Sequence, residues 1–411
     1  MAKIANIDQY ILETMIRLSS INDVDVLLET LLTEARRIVN ADAGSIYVYD
    51  EGTLRIKYSQ NDTLQRRLRH GEKMPYVNFC FKPDESSIAG YAVVKGDTIN
   101  IPDVHAIPPE CTYSFNVSSD NITGYVTESM LTMPLRIKNG KILGVLQIIN
   151  AQDADGNIVP FDCQAEFYMR SFAANAAAAL EQAYTLDMFI KSMLRMVASR
   201  DPRETFAHGV RVSRFSVEIF DRYIADHPDT DLGGYRNYRD SLSVAAKCHD
   251  FGKVGISDIL LKRTFPRFDE DDRSVMKGHT GIGAMYFDGL EQEVFRMAQE
   301  IALRHHERWD GGAAGYPGDF DFRGFPPEGR VTNFVPLRGE EIPLSARIVS
   351  VADVFDALSH ARCYKPAWTI EDAFIEIQNE AGKQFDPYVV ASFLLIKERI
   401  AQINAELSAD A

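Results

Sequence analysis

Apolar positions in the first forty residues recur at helical spacing: Ile11, Met15 and Leu18, then Val24, Leu27, Leu28, Leu31, Leu32, Ala35, Ile38 and Val39. The pattern predicts helix over 8–40 with a break at Ser19-Ser20-Ile21-Asn22-Asp23, Asp23 capping the second segment. From Ala43 the period shortens to two. Residues 45–49 and 54–58 flank Asp50-Glu51-Gly52, and 130–137 and 142–150 flank Lys138-Asn139-Gly140-Lys141, which predicts two antiparallel hairpins. Helical spacing returns over 166–199, where Phe167, Ala174, Ala177, Leu180, Tyr184, Met188, Met193 and Val197 form an apolar stripe with no Gly or Pro to end it. A helix of that length cannot bury itself within one small domain, so it is expected to pair with its copy in a parallel homodimer; a closing helix packed on the first domain's sheet is the plainer alternative. Asp201-Pro202 marks a boundary, and beyond it the chain reads as helix and loop. The expected fold class is therefore multidomain: an α+β domain with an antiparallel sheet over 1–165, a connecting helix over 166–199, and an all-α domain over 200–411.

The length of 411 residues exceeds the usual size of one hydrophobic core and supports this division. No run of about 18 apolar residues occurs, and no basic segment followed by an apolar block opens the chain, so neither a membrane span nor a secretory signal is expected, and the location is read as cytoplasmic. Cys80, Cys111, Cys163, Cys248 and Cys363 are widely spaced and odd in number, which fits reduced thiols. A net charge of −15 argues against DNA as a partner.

The candidate chemistry lies in the second half. His249 and Asp250 are adjacent in Ala246-Lys247-Cys248-His249-Asp250-Phe251-Gly252-Lys253, and they follow an apolar segment expected to place them on a buried helix, where an unpaired charge is costly. Glu204 and His208 are four residues apart, which puts both on one face of a helix. His279, the pair His305 and His306, and Asp353 add further donors. Imidazoles with carboxylates suit iron, manganese or zinc. On a helix His305 and His306 would point about 100° apart, so both reach one site only if two metals lie side by side or the helix ends there.

The first 180 residues resemble the GAF family through Gly44–Tyr49 in Gly44-Ser45-Ile46-Tyr47-Val48-Tyr49, Ile101-Pro102-Asp103, residues 124–131 and residues 144–150. That resemblance implies a sensor domain with an unidentified small-molecule ligand or none; Phe115 and Asp120 fall in the stretch that carries part of the cyclic-nucleotide-binding set. Residues 199–397 closely resemble the HD-GYP family, through His249-Asp250-Phe251-Gly252-Lys253, His305-His306-Glu307-Arg308-Trp309-Asp310-Gly311, Gly315-Tyr316-Pro317, residues 347–358, Arg362-Cys363-Tyr364-Lys365 and Phe385-Asp386-Pro387. The resemblance implies two or three divalent transition metals, iron first and manganese second, on Glu204, His208, His249, Asp250, His279, His305, His306 and Asp353, with Asp250 bridging. It implies catalytic roles for Asp250 and Lys253, phosphate contacts from Lys253, Arg362 and Lys365, and Tyr316 beside the substrate. The implied activity is a phosphodiesterase for a cyclic dinucleotide, cyclic di-GMP first, giving linear pGpG, GMP or both under control of the GAF domain. The alternatives are a catalytically weak sensor of that messenger and a phosphodiesterase for cyclic GMP-AMP. The chain departs from the family pattern in Gly312-Ala313-Ala314, in Cys363 where proline is usual, and in an insert over 318–337 expected to wall the site.

Overall fold

The computed structural model describes residues 6–67, 79–201, 206–235, 237–263, 268–322, 331, 334–360 and 368–409, and divides into two compact units, Met1–Thr185 and Leu186–Ala411. In the first unit α1 (Ile7–Ser19) and α2 (Val24–Ile38) break where the sequence predicts, and Asp23 caps α2 by accepting from the Asp25 and Val26 N–H groups. Strands β1 (Ala41–Asp50) and β2 (Thr53–Asn61) form the first hairpin, followed by α3 (Asp62–Arg67), β3 (Cys80–Phe81), α4 (Ile88–Lys95), β4 (Ile99–Ile101) and α5 (Ser118–Thr123). The second hairpin is β5 (Met130–Arg136) and β6 (Ile142–Gln152), and β7 (Ile158–Val159) follows.

The seven strands form one antiparallel sheet in the order β3-β2-β1-β6-β5-β4, with β7 on β6. The two hairpins therefore meet along β1 and β6, a long-range pairing that hairpin signals do not reveal. Alternation along the strands sends Ile46, Leu146 and Ile148 into a core with α1 and α2, while Tyr47 and Val145 pack with α4 on the other face.

Helix α6 runs over Cys163–Arg200. Its stripe is divided: Met169, Phe172, Ala177 and Leu180 lie in the first unit's core, and Ile190, Leu194 and Val197 in the second's. Phe167, Met188, Phe189 and Met196 remain exposed. Leu180, at 1% exposure, is filled by its own chain and offers nothing to a second copy.

The second unit continues with α7 (Phe206–Asp226), α8 (Tyr238–Ala245), α9 (Asp258–Leu261), α10 (Glu270–Lys277), α11 (His279–Tyr286), α12 (Glu293–Arg304), α13 (Leu344–Ser359), α14 (Ile370–Asn379), α15 (Pro387–Leu395) and α16 (Lys397–Ala409). Phe215, Phe355, Phe374 and Phe393 interlock at its centre, joining α7, α13, α14 and α15. Asp386 caps α15 ahead of Pro387 and pairs with Arg347 at 2.6 Å, which ties the C-terminal helices to α13. No helix is long and apolar enough to cross a membrane among the described residues.

Candidate metal centre

Four helix ends and turns deliver the donors. His208 sits in the first turn of α7. After α8 ends at Ala245 the chain tightens into a 3-10 turn, Ala246–Cys248, so His249 and Asp250 lie in a turn and not, as the sequence suggested, on a helix. The difference is functional: adjacent residues on a helix diverge by about 100°, whereas a turn can aim both inward. The next 3-10 segment, Phe251–Gly255, lies against α11, whose first residue is His279. Only glycine fits at 252, because a Cβ there would meet the His279 carbonyl oxygen at 1.8 Å. At α12 the helix ends at Arg304 with His305 as its C-cap, and this termination lets His305 and His306 face one site.

The donors form two groups sharing one carboxylate. Ligand-type atoms of Asp250, His279, His305 and His306 all lie within 4.8 Å of one another, as do those of His208, His249 and Asp250. Asp250 divides its oxygens: Oδ1 lies 3.3 Å from His279 Nε2 and 3.8 Å from His305 Nε2, while Oδ2 lies 3.2 Å from His249 Nε2. Asp353 approaches the second group, 3.5 Å from His208 Nε2 and 3.9 Å from His249 Nε2.

Backbone carbonyls set the imidazole tautomers. Nδ1 lies 2.9 Å from Ala246 O in His249, 2.7 Å from Met276 O in His279 and 2.9 Å from Ile301 O in His305. Only an Nδ1–H satisfies a carbonyl, so each Nε2 turns a lone pair toward the centre. His208 donates from Nδ1 to Asp356 Oδ2 at 2.8 Å, so its Nε2 carries a lone pair that meets His249 Nε2 at 3.2 Å. Facing lone pairs repel unless a cation lies between them. Asp250 Oδ1, His279 Nε2 and His305 Nε2 are buried acceptors without a hydrogen-bond partner among the described residues. A neutral-imidazole and carboxylate set with orphaned acceptors converging on common points fits divalent transition metals.

Titration agrees with that donor state. Burial, then the neighbouring imidazoles, hold His305 and His306 well below the ordinary histidine range, so both are neutral and ready to ligate. Burial opposes ionisation of Asp250, but the Lys253 ammonium beside it is the largest opposing cause, and the carboxyl is held well below the usual range. Lys253 Nζ donates to Asp250 Oδ2 at 2.8 Å.

Sequence reasoning missed the groups behind the donors. Asp356, buried on α13 one turn beyond Asp353, receives His208 and is clamped by Arg211, whose Nε and Nη2 donate at 2.5 and 2.9 Å. His360 lies 3.2 Å from its other oxygen. Burial would raise the Asp356 carboxyl; His208, His360 and Arg211 together drive it far down. The signal was present as i+3 partners, Arg211 after His208 and Asp356 after Asp353.

Glu307 was also missed. Its buried carboxylate accepts the backbone N–H groups of Gly318 at 2.5 Å and Leu337 at 3.3 Å, so the two ends of the insert are drawn to one side chain. Within the insert Phe320 and Phe334 pack with Ile256, Leu261 and Ile282, so these rings serve packing on α9 and α11. Phe325 and Glu328 lie outside the described residues. Tyr316 is half-buried, stacked on His306 with ring centres 4.8 Å apart at 27°, and edge-on to His279 at 6.4 Å.

Glu204, Arg362, Cys363 and Lys365 lie outside the described residues. In the first unit the Asp120 carboxylate is spent on the Thr127 N–H and hydroxyl at 2.7 and 2.9 Å, and Phe115 packs edge-on to His105.

Residues 23–180 match the family model of the GAF domain, and residues 205–358 and 333–389 match models of the HD domain. The chain is 38% identical over 226 residues to a cyclic di-GMP phosphodiesterase of Vibrio cholerae serotype O1, covering 54% of this chain and 42% of that protein. It is 40% identical over 167 residues to the cyclic di-GMP phosphodiesterase response regulator RpfG of Xanthomonas campestris pv. campestris, covering 41% and 39%. A third relative, the 3'3'-cGAMP-specific phosphodiesterase 2 of Vibrio cholerae serotype O1, is 32% identical over 205 residues, covering 50% and 34%. The match thus spans less than half the length of each of these relatives. Its sheet topology, its histidine and aspartate cluster and these matches together make the chain a GAF domain followed by an HD domain.

Proposed function

We propose that this chain hydrolyses a cyclic dinucleotide, cyclic di-GMP first, to linear pGpG, GMP or both. The observation that carries the reading is the pair of donor groups joined through Asp250, with imidazole lone pairs turned inward by backbone carbonyls. Two divalent metals held there would supply Lewis acidity and a water activated for attack at phosphorus. Asp250 places the two groups side by side, and His208, held by Asp356, fixes the edge of the second. Lys253, anchored on Asp250, offers its remaining N–H donors to a phosphoryl oxygen. Tyr316 walls the site beside His306.

The finer assignments belong to the same proposal. Glu204 adds a carboxylate for a third metal, Arg362 and Lys365 contact the substrate phosphates, and iron is the metal, with manganese able to replace it. The GAF domain over 1–165 regulates the HD domain over 200–411 through the helix over 166–199, in a cytoplasmic homodimer whose contact includes the exposed Met188, Phe189 and Met196. Cyclic GMP-AMP is the second substrate reading, favoured by the third relative above.

The test is anaerobic purification of the full chain, metal analysis after reconstitution with Fe(II) or Mn(II), and chromatography of products from both cyclic dinucleotides. At least two metals per chain and linear products are expected, with turnover abolished in Asp250→Ala while the fold survives. Less than one metal per chain, or no product from either nucleotide, refutes the reading.

A further inference from the structure

We propose that Lys277 binds the substrate's second phosphate, the one that does not lie over the metals, in a subsite built jointly by the Tyr316 loop and the insert. The inference rests on the cyclic dinucleotide reading above. A cyclic dinucleotide carries two phosphodiesters; cleavage commits one to the metal centre, and the other remains an anion that must be met nearby. Lys253, held on Asp250 at the metal centre, is already assigned to the phosphate over the metals.

Lys277 closes α10 two residues before His279. Its ammonium lies 5.1 Å from the centre of the Tyr316 ring and 5.6 Å from that of Phe334. Tyr316 in turn stacks on His306, so a metal-type imidazole, a tyrosine, a cation and a phenylalanine form one succession of contacts beginning at the donor cluster. Two aromatic rings hold an ammonium by cation–π attraction without consuming its hydrogens, which leaves three N–H donors for an anion. Among the described residues Lys277 has no carboxylate partner, and it is half-buried. Phe334 belongs to the insert, which gives that segment a role at the site although its rings also pack the helices. The acids Asp319 and Asp321 do not compete for the cation: Asp319 is held by the Val335 N–H at 2.6 Å, and neither pairs with Lys277.

The experiment compares Lys277→Met, which keeps the stem between the rings and removes the charge, with Lys277→Arg, which retains it. Metal content should equal wild type in both. Losing a hydrogen bond to a charged group predicts KM for cyclic di-GMP raised about ten-fold or more in Lys277→Met, with kcat changed far less and Lys277→Arg restoring most of the loss. Bis(p-nitrophenyl) phosphate has a single phosphate, which the metals occupy, so its turnover should be the same in Lys277→Met and wild type. The dinucleoside monophosphate GpG keeps only the second phosphate and should inhibit Lys277→Met more weakly, while guanosine should act equally on both. Unchanged KM for cyclic di-GMP, an equal loss on the small diester, or weaker guanosine inhibition in Lys277→Met each overturns the assignment while leaving the metal-dependent reading intact. A metal-loaded wild type that cleaves the small diester but no cyclic dinucleotide overturns the substrate reading itself, and this subsite with it.

Discussion

Replacing Gly252 with alanine should dismantle one donor group without touching a donor. A Cβ at 252 would lie 1.8 Å from the His279 carbonyl oxygen, 2.5 Å from the Gly283 nitrogen and 2.7 Å from the His279 carbonyl carbon, all backbone atoms that cannot swing aside. Real Cβ contacts essentially never fall under 3.0 Å, so the start of α11 must retreat by at least the difference, 3.0 − 1.8 = 1.2 Å. Metal–ligand distances tolerate only about 0.2 Å, so His279 leaves the group it shares with Asp250, His305 and His306. Overpacking against backbone places the folding cost at or above the top of the usual range of about 1–3 kcal/mol. Gly209→Ala is the control beside another donor, since the one close contact of its Cβ would be a terminal methyl of Leu194 at 2.9 Å, which can rotate away, and the Lys247 carbonyl oxygen at 3.5 Å is in ordinary contact. Urea unfolding of the chelator-treated protein, together with metal analysis, decides the matter: Gly252→Ala should lose at least one metal per chain, all turnover and about 3 kcal/mol, and Gly209→Ala should lose none of the first two. Full metal content with wild-type stability in Gly252→Ala would refute the argument from close packing.

Asp356→Asn should weaken metal binding at the His208 group about 10–100-fold by loosening that imidazole, and destabilise the chain by about 3–5 kcal/mol because Arg211 loses its buried partner; metal titration and urea unfolding measure the two separately, and a change in neither removes the positioning role. For the metal-free protein the pH dependence follows from the depressed histidines: folded His279, His305 and His306 bind protons below their ordinary range while the unfolded chain takes them up near 6.5. Unfolding therefore absorbs protons, stability is full above about pH 6.5, and it falls on acidification by up to about 1.4 kcal/mol per pH unit for each histidine; an unfolding midpoint flat between about pH 7 and 5 contradicts their neutral state. Met188→Lys should convert the proposed dimer to monomer with no loss of fold, because Met188 is 68% exposed within its own chain, whereas Leu180→Lys would unfold it; light scattering that shows an unchanged mass for Met188→Lys moves the contact elsewhere.

The donor residues were legible in sequence because ligand chemistry restricts residue type: few side chains other than histidine and the acids can serve, and adjacency of His249 with Asp250 and of His305 with His306 is uncommon without a site. What lay beyond the pattern was direction. Periodicity extended α8 through His249, and only the tightening after Ala245 shows how two neighbours aim at one point. The α6 stripe was visible as a stripe, yet spacing cannot say what covers each part of it, and Leu180 and Met188 proved to lie on opposite sides of that question. Asp356 and Arg211 went unseen because a buried acid and base in sequence-distant helices look like ordinary surface charges until they are brought to 2.5 Å. In the first unit each hairpin was readable from its turn, while the β1–β6 pairing that joins them depends on residues a hundred positions apart.

The carboxylate of Glu307 has a consequence for how this site can change. By gathering Gly318 and Leu337 it brings the two ends of the insert to one side chain, so lengthening what lies between, away from the packed Phe320, Val331 and Phe334, need not disturb anything upstream or downstream. Closure entropy rises slowly, by about 0.6 kcal/mol for each doubling of length. A segment stapled in this way behaves as a cassette: its length can change while the imidazoles and acids of the proposed metal centre stay fixed on their own helices and turns.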